Sequence, residues 1–212
     1  TVTAKVIYTL TSDNVLDIKY EATTDRETVI NMTNHSYFNL TGDMSQAGTN
    51  MVLYINADNY TPIDSTFIPN GKVKSVYGTP LDFTKRHALY ETIGDTNFEQ
   101  IKYARGYDHN WCLNTYTKGK GNDKIVAASL YAPNTGICLE MFTTEPGVQV
   151  YTGNFLDGKV KGKHGIAYPK HASVCLESQK SPDSPNNLNF PSSYIKPGET
   201  YISHTAYRFR VK

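Results

Sequence analysis

Apolar and polar positions alternate from the first residues of the chain. Two such runs open it, Ala4-Lys-Val-Ile-Tyr-Thr-Leu10 and Leu16-Asp-Ile-Lys-Tyr-Glu-Ala22. The second alternates strictly, the period-two pattern of a half-buried strand. Ser12-Asp13-Asn14 between them is turn chemistry, so the pair predicts a β-hairpin. Met51-Val-Leu-Tyr-Ile55 reads as a buried strand, and further strands are expected at Asn110–Asn114, Ile125–Ala132, Gly136–Thr143, Val148–Thr152, Ser173–Ser178 and Thr200–Val211. Helical periodicity is confined to Arg86–Gly94. Asp58–Phe83 is broken by Pro62, Pro69, Gly71, Gly78 and Pro80, the pattern of an ordered surface crossing with short strands. Many strands, frequent turns and almost no helix predict an all-β sandwich or barrel. No repeat, low-complexity tract or linker interrupts the chain, so residues 1–212 read as one domain.

Composition narrows the function classes. A net charge of +1 with no block of like charges argues against nucleic acid or an anionic membrane surface as partner. No apolar run approaches the length of a membrane span. Cys112, Cys138 and Cys175 are odd in number and lack metal-type spacing, which suits buried free thiols in a reducing compartment, the cytoplasm. The four Asn-x-Ser/Thr sequons, at Asn31, Asn34, Asn39 and Asn59, formally allow a secreted glycoprotein. Three of them crowd a stretch that reads as pocket lining, where a glycan would block access, so they are taken as chance. The 16 tyrosines suit a sheet that stacks ring faces on sugars, although tyrosine is also simply a good strand former.

Four stretches carry candidate chemistry. In Asn31-Met-Thr-Asn-His-Ser-Tyr-Phe-Asn-Leu40, His35 follows the strand-like Glu27–Ile30 and sits among amides, hydroxyls and aromatic rings. An imidazole there suits proton transfer to a sugar, or it is a structural histidine held by its neighbours. In Gly106-Tyr-Asp-His-Asn-Trp-Cys-Leu113, Asp108 is either a ligand for hydroxyls or an Asx-turn residue before a strand. Gln149, in Glu145–Gly158, offers both a donor and an acceptor to vicinal hydroxyls, or it faces solvent. Glu177 ends the apolar run Ala172–Leu176. A carboxylate buried at such a strand end has its pKa raised and becomes a usable base; the other reading points it at water.

Together the stretches resemble the aldose 1-epimerase (galactose mutarotase) family. The carrying residues are Asn34-His-Ser-Tyr-Phe-Asn-Leu40, Gly106-Tyr-Asp-His-Asn110, Pro146-Gly-Val-Gln-Val-Tyr-Thr-Gly-Asn154 and Cys175-Leu-Glu-Ser-Gln179, in order along the chain. Tyr60–Pro69, Gly78–Phe83 and Pro197-Gly-Glu199 support them. The resemblance implies a large antiparallel β-sandwich of the galactose mutarotase-like type, binding a small-molecule aldohexose on its concave face. It implies Glu177 as general base toward the C1 hydroxyl and His35 as general acid toward the ring oxygen. Asp108 and Gln149 would hold sugar hydroxyls, and neither metal nor organic cofactor is called for. His109 receives no role.

The match is to the C-terminal, larger part of that family's domain. The family's N-terminal strands carry an Asn-Arg-Ile and a Leu-His-Gly-Gly motif whose Arg and second His line the sugar site, and neither motif occurs here. The missing part of the same domain is therefore an expected partner. Two functions remain open on this reading: interconversion of α and β anomers of glucose or galactose, and sugar binding without catalysis by a module that keeps only the fold.

Overall fold

The computed structural model describes residues 1–212. Its strands run in order as β1 (Val2–Leu10), β2 (Val15–Thr24), β3 (Thr28–Val29), β4 (Val52–Ile55), β5 (Asn59–Thr61) and β6 (Lys74–Ser75). There follow β7 (His87–Ala88), α1 (Glu99–Ala104), β8 (Asp108–Cys112), β9 (Tyr116–Thr117), β10 (Lys120–Gly121), β11 (Ala128–Tyr131) and β12 (Ile137–Thr143). The last are β13 (Gly147–Tyr151), β14 (Cys175–Gln179), β15 (Tyr194–Ile195) and β16 (Tyr201–Val211).

Twelve strands form two antiparallel sheets, one of seven in the order β1-β2-β16-β12-β11-β4-β7 and one of five in the order β14-β13-β8-β5-β6. Period-two alternation gives each sheet an apolar face. Ile18 and Tyr20 from β2, Leu53 and Ile55 from β4, Leu130 from β11 and Met141 from β12 supply the larger sheet's share. Trp111, Val148, Val150 and Leu176 supply the smaller sheet's, and all ten belong to one continuous core. A polar anchor ties the layers, Tyr207 of β16 donating to the Leu176 carbonyl of β14 at 2.6 Å, and Trp111 Nε1 donates to the carbonyl of the loop residue Leu81 at 3.0 Å. Buried donors with such partners avoid the desolvation cost of an unpaired group.

The hairpin β1–β2 forms with Tyr8 opposite Ile18 and Leu10 opposite Leu16. β2 is half-buried as its alternation predicts, whereas the apolar side of β1 stays open, with Leu10 78% and Tyr8 58% exposed. Helix formation departs from expectation. Arg86–Gly94 yields the short strand β7 and one 3-10 turn, Leu89–Glu91, while the α-helix lies at Glu99–Ala104. Six residues are too few to show a helical period in the sequence. What holds α1 is tertiary: the Gln100 side chain donates to the Ile63 carbonyl at 2.9 Å and accepts from the Ile63 amide at 2.8 Å. The ladder ends also move: Ile125–Ala132 pairs only at Ala128–Tyr131, and Asn110–Asn114 begins pairing two residues earlier, at Asp108. No helix is long and apolar enough to cross a membrane.

Leu53 has no exposed surface and lies opposite Leu130 within the larger sheet. Leu53→Ala should cost about 2–5 kcal/mol by combined loss of transfer energy and cavity formation. Val6→Ser on the exposed strand should stay within about 0.5 kcal/mol. Urea unfolding of both variants checks the contrast, and equal losses would contradict this placement of the core.

Candidate active site

Three neighbouring strands of the smaller sheet build the floor. Registers align Tyr151 with Cys175 and Asp108, and Gln149 with Glu177 and Asn110. Because alternate residues share a face, Cys175, Glu177, Gln179, Gln149, Tyr151, Asp108 and Asn110 all project to the side turned away from the core. The same alternation sends His109 the other way. It is fully buried beside Trp111, and burial pushes its pKa down to about 3, so it is a neutral core residue.

His35 arrives on a segment that forms no ladder of its own. Residues 31–40 instead run beside β14 and are tied to it at two points. The Asn31 side chain donates to the Lys180 carbonyl and accepts from the Lys180 amide, each at 2.9 Å. Phe38 and Val174 exchange both backbone hydrogen bonds at 2.8 Å. Between these tethers, His35 Nε2 comes within 3.4 Å of Glu177 Oε1. Tyr37 and Tyr151 frame the imidazole, with ring centroids 5.1 and 6.1 Å away. The His35 side chain is 49% exposed and that of Glu177 only 10%, so the imidazole is the solvent side of the pair and the carboxylate the floor.

Burial pushes the Glu177 carboxyl up to about 7. His35 acts against that rise and the neighbouring Asp108 adds to it. Asp108 is itself raised by burial, and the Gln149 hydrogen bond works in the opposite sense. Gln149 donates to Asp108 Oδ1 at 2.8 Å, which leaves its own oxygen to accept from Gln179 Nε2 at 3.1 Å. Gln179 Nε2 also reaches Asn110 Oδ1 at 3.2 Å. A Cβ at position 147 would collide with that Asn110 oxygen, so Gly147 is what lets the amide chain close. The row Asp108–Gln149–Gln179–Asn110 thus fixes the orientation of the half-buried Gln149 and Gln179 amides, a polar lining suited to hydroxyl groups, while Asn110 anchors the row from a buried position.

All four residues singled out from the sequence, His35, Asp108, Gln149 and Glu177, meet at this one place. Asn110 and Gln179 were not singled out, and Cys175 was read only as a buried thiol. The signal for them was available, since residues 108 and 110, 149 and 151, and 175, 177 and 179 obey one period-two rule once the strands are known. All three cysteines are free.

The outer face of the smaller sheet in this β-sandwich thus carries an imidazole–carboxylate pair beside a row of amides. The aldose 1-epimerase family profile matches residues 1–208, and the chain belongs to the aldose 1-epimerase family. It is 42% identical over 206 residues to the galactose mutarotase of Homo sapiens, covering 97% of this chain and 57% of that protein. It is 40% identical over 209 residues to the aldose 1-epimerase of Escherichia coli K12, covering 97% of this chain and 58% of that protein. The solved structure of an aldose epimerase homologue from C. elegans superposes with a TM-score of 0.86 at 29% identity, over 99% of this chain and 60% of that one. The chain thus spans less than two thirds of the length of these relatives.

A carboxyl whose folded pKa lies above its unfolded value favours folding below the unfolded value and loses that contribution as pH rises through the folded one. Glu177, at about 7 against an ordinary 4.5, should therefore weaken the fold between roughly pH 4.5 and 7. Glu177→Gln should remove that loss, leaving the variant more stable than wild type at pH 8 and similar to it at pH 4. Urea unfolding at the two pH values checks this; an unchanged difference between them would mean that Glu177 is not desolvated.

Proposed function

We propose that this chain supplies the acid–base pair of an aldose 1-epimerase, which interconverts the α and β anomers of an aldohexose by opening and reclosing the ring. The observation that carries the reading is the 3.4 Å approach of His35 Nε2 to Glu177 Oε1 over a row of amides. The two oxygens that exchange protons in a hemiacetal, O1 and O5, sit on one carbon. An acid and a base that serve them must therefore be near neighbours, as these are.

In the forward step, the Glu177 carboxylate takes the proton from O1 while protonated His35 delivers one to O5. The C1–O5 bond breaks with its electron pair staying on O5, and O1 becomes the aldehyde oxygen. Rotation about C1–C2 presents the other carbonyl face. O5 then adds to C1, returning its proton to His35, and O1 recovers a proton from Glu177. Raising Glu177 to about 7 brings its proton affinity close to operating pH, where general base catalysis is most effective. Asp108 and Gln149 hold ring hydroxyls, with Gln179 and Asn110 keeping Gln149 oriented.

Glucose and galactose are the candidate aldohexoses, galactose being the sugar named in the human relative. We place the protein in the cytoplasm, where three free thiols persist. The open apolar face of β1 is where we would seat the remaining part of such a domain as partner. Sugar binding without catalysis is the second reading, favoured by one fact: the chain spans 57% of the length of its human relative.

Polarimetry of freshly dissolved α-D-galactose separates the two. The acid–base account expects acceleration over the spontaneous rate, lowered about a hundred- to ten-thousandfold by Glu177→Gln. Binding that is measurable by calorimetry, with no acceleration even when the rest of the domain is supplied, would establish the module instead.

A further inference from the structure

Beside the acid–base pair lies a side chain that mutarotation does not use. Cys175 stands two residues before Glu177 on β14, so both project from one face of the strand. Its sulfur, a ring nitrogen of His35 and a carboxylate oxygen of Glu177 all lie within 4.8 Å of one another. Neither Cys112 nor Cys138 belongs to such a group.

One thiolate, one imidazole and one carboxylate make a donor set suited to a borderline-soft divalent ion such as Zn²⁺. Geometry agrees with chemistry. Bonds of about 2.0–2.1 Å at tetrahedral angles place two N/O ligands about 3.4 Å apart, and His35 Nε2 and Glu177 Oε1 stand 3.4 Å apart. The sulfur lies within 4.8 Å of a ring nitrogen of His35 and a carboxylate oxygen of Glu177, so one ion can be shared by all three. Three protein donors leave the fourth position of a tetrahedral ion open. Charge favours a cation as well. Asp108 adds a second carboxylate to the surroundings of both Cys175 and Glu177.

We propose that His35, Cys175 and Glu177 form a Zn²⁺ site that is filled in competition with the aldose, so that the ion acts as a reversible inhibitor. The exclusion of sugar rests on the acid–base reading of His35 and Glu177; the binding of metal does not. On binding, the Cys175 S–H bond breaks, the proton passes to solvent, and the sulfur electron pair bonds the ion without any redox change. The cation supplies the positive charge that releases the thiol proton on binding.

Cobalt(II) serves as the spectroscopic probe, because a thiolate bound to it gives a charge-transfer absorption in the near ultraviolet. The purified chain should take up one equivalent with that absorption, and Zn²⁺ should abolish it. Cys175→Ser should remove the band and weaken Zn²⁺ binding at least 10-fold to 100-fold, the range lost even with outer-shell partners. Cys138→Ser should change neither. A band that survives Cys175→Ser, or no band from a wild-type sample that circular dichroism shows to be folded, overturns the site. Saturating galactose should raise the apparent Kd for Co²⁺, and an unchanged Kd overturns the competition. Failure of metal-free polarimetry would count against the acid–base reading alone, because the absorption is read without turnover.

Discussion

Desolvation of one carboxylate is the constraint on which this site turns. Glu177 stands in the middle of β14 with little of its side chain in water, and an ion in that position is expensive unless something answers its charge. The chain provides that answer with His35, on a segment that has no ladder and is held by tethers at Asn31 and Phe38. The result is a carboxyl raised to about 7 rather than one silenced by a tight ion pair. A shorter, fully buried pair would hold Glu177 ionised and less basic; no partner at all would keep it protonated through neutral pH.

Sheet register is what makes this placement possible. Asp108 and His109 are adjacent in sequence, yet one faces the amide row and the other is a neutral imidazole in the core. Only the alternation of a strand separates two titratable neighbours so completely. The same rule aligns residues from β8, β13 and β14 across three lanes. The large sheet contributes no group to the His35–Glu177 pair; it supplies the packing, through Tyr207 and its neighbours, that keeps those lanes in register.

Much of this was legible in the sequence, for reasons that differ by element. β2 carries a strict period-two signal. The strands expected at Gly136–Thr143, Val148–Thr152, Ser173–Ser178 and Thr200–Val211 form as β12, β13, β14 and β16 with ends shifted by only one or two residues, whereas the two-residue β15 was not expected. α1 was not legible, because its stability comes from Gln100 clasping the Ile63 backbone, a contact 37 residues apart in sequence. His35, Asp108, Gln149 and Glu177 stood out through motifs, whereas Gln179 and Asn110 needed the register before their roles could be seen. Cys175 shows the limit most clearly. Its apolar flanks marked it correctly as buried, but only the fold brings a histidine from position 35 beside it.

The central claim is that Glu177 is a desolvated base beside an imidazole, and its titration tests that claim most directly. Carbon-13 NMR of the side-chain carboxyl, assigned with Glu177→Gln, gives the midpoint. The account predicts a value near 7 in the folded chain, moving higher in His35→Ala as the opposing charge is removed. A midpoint near the ordinary 4.5, unaffected by His35→Ala, would contradict it.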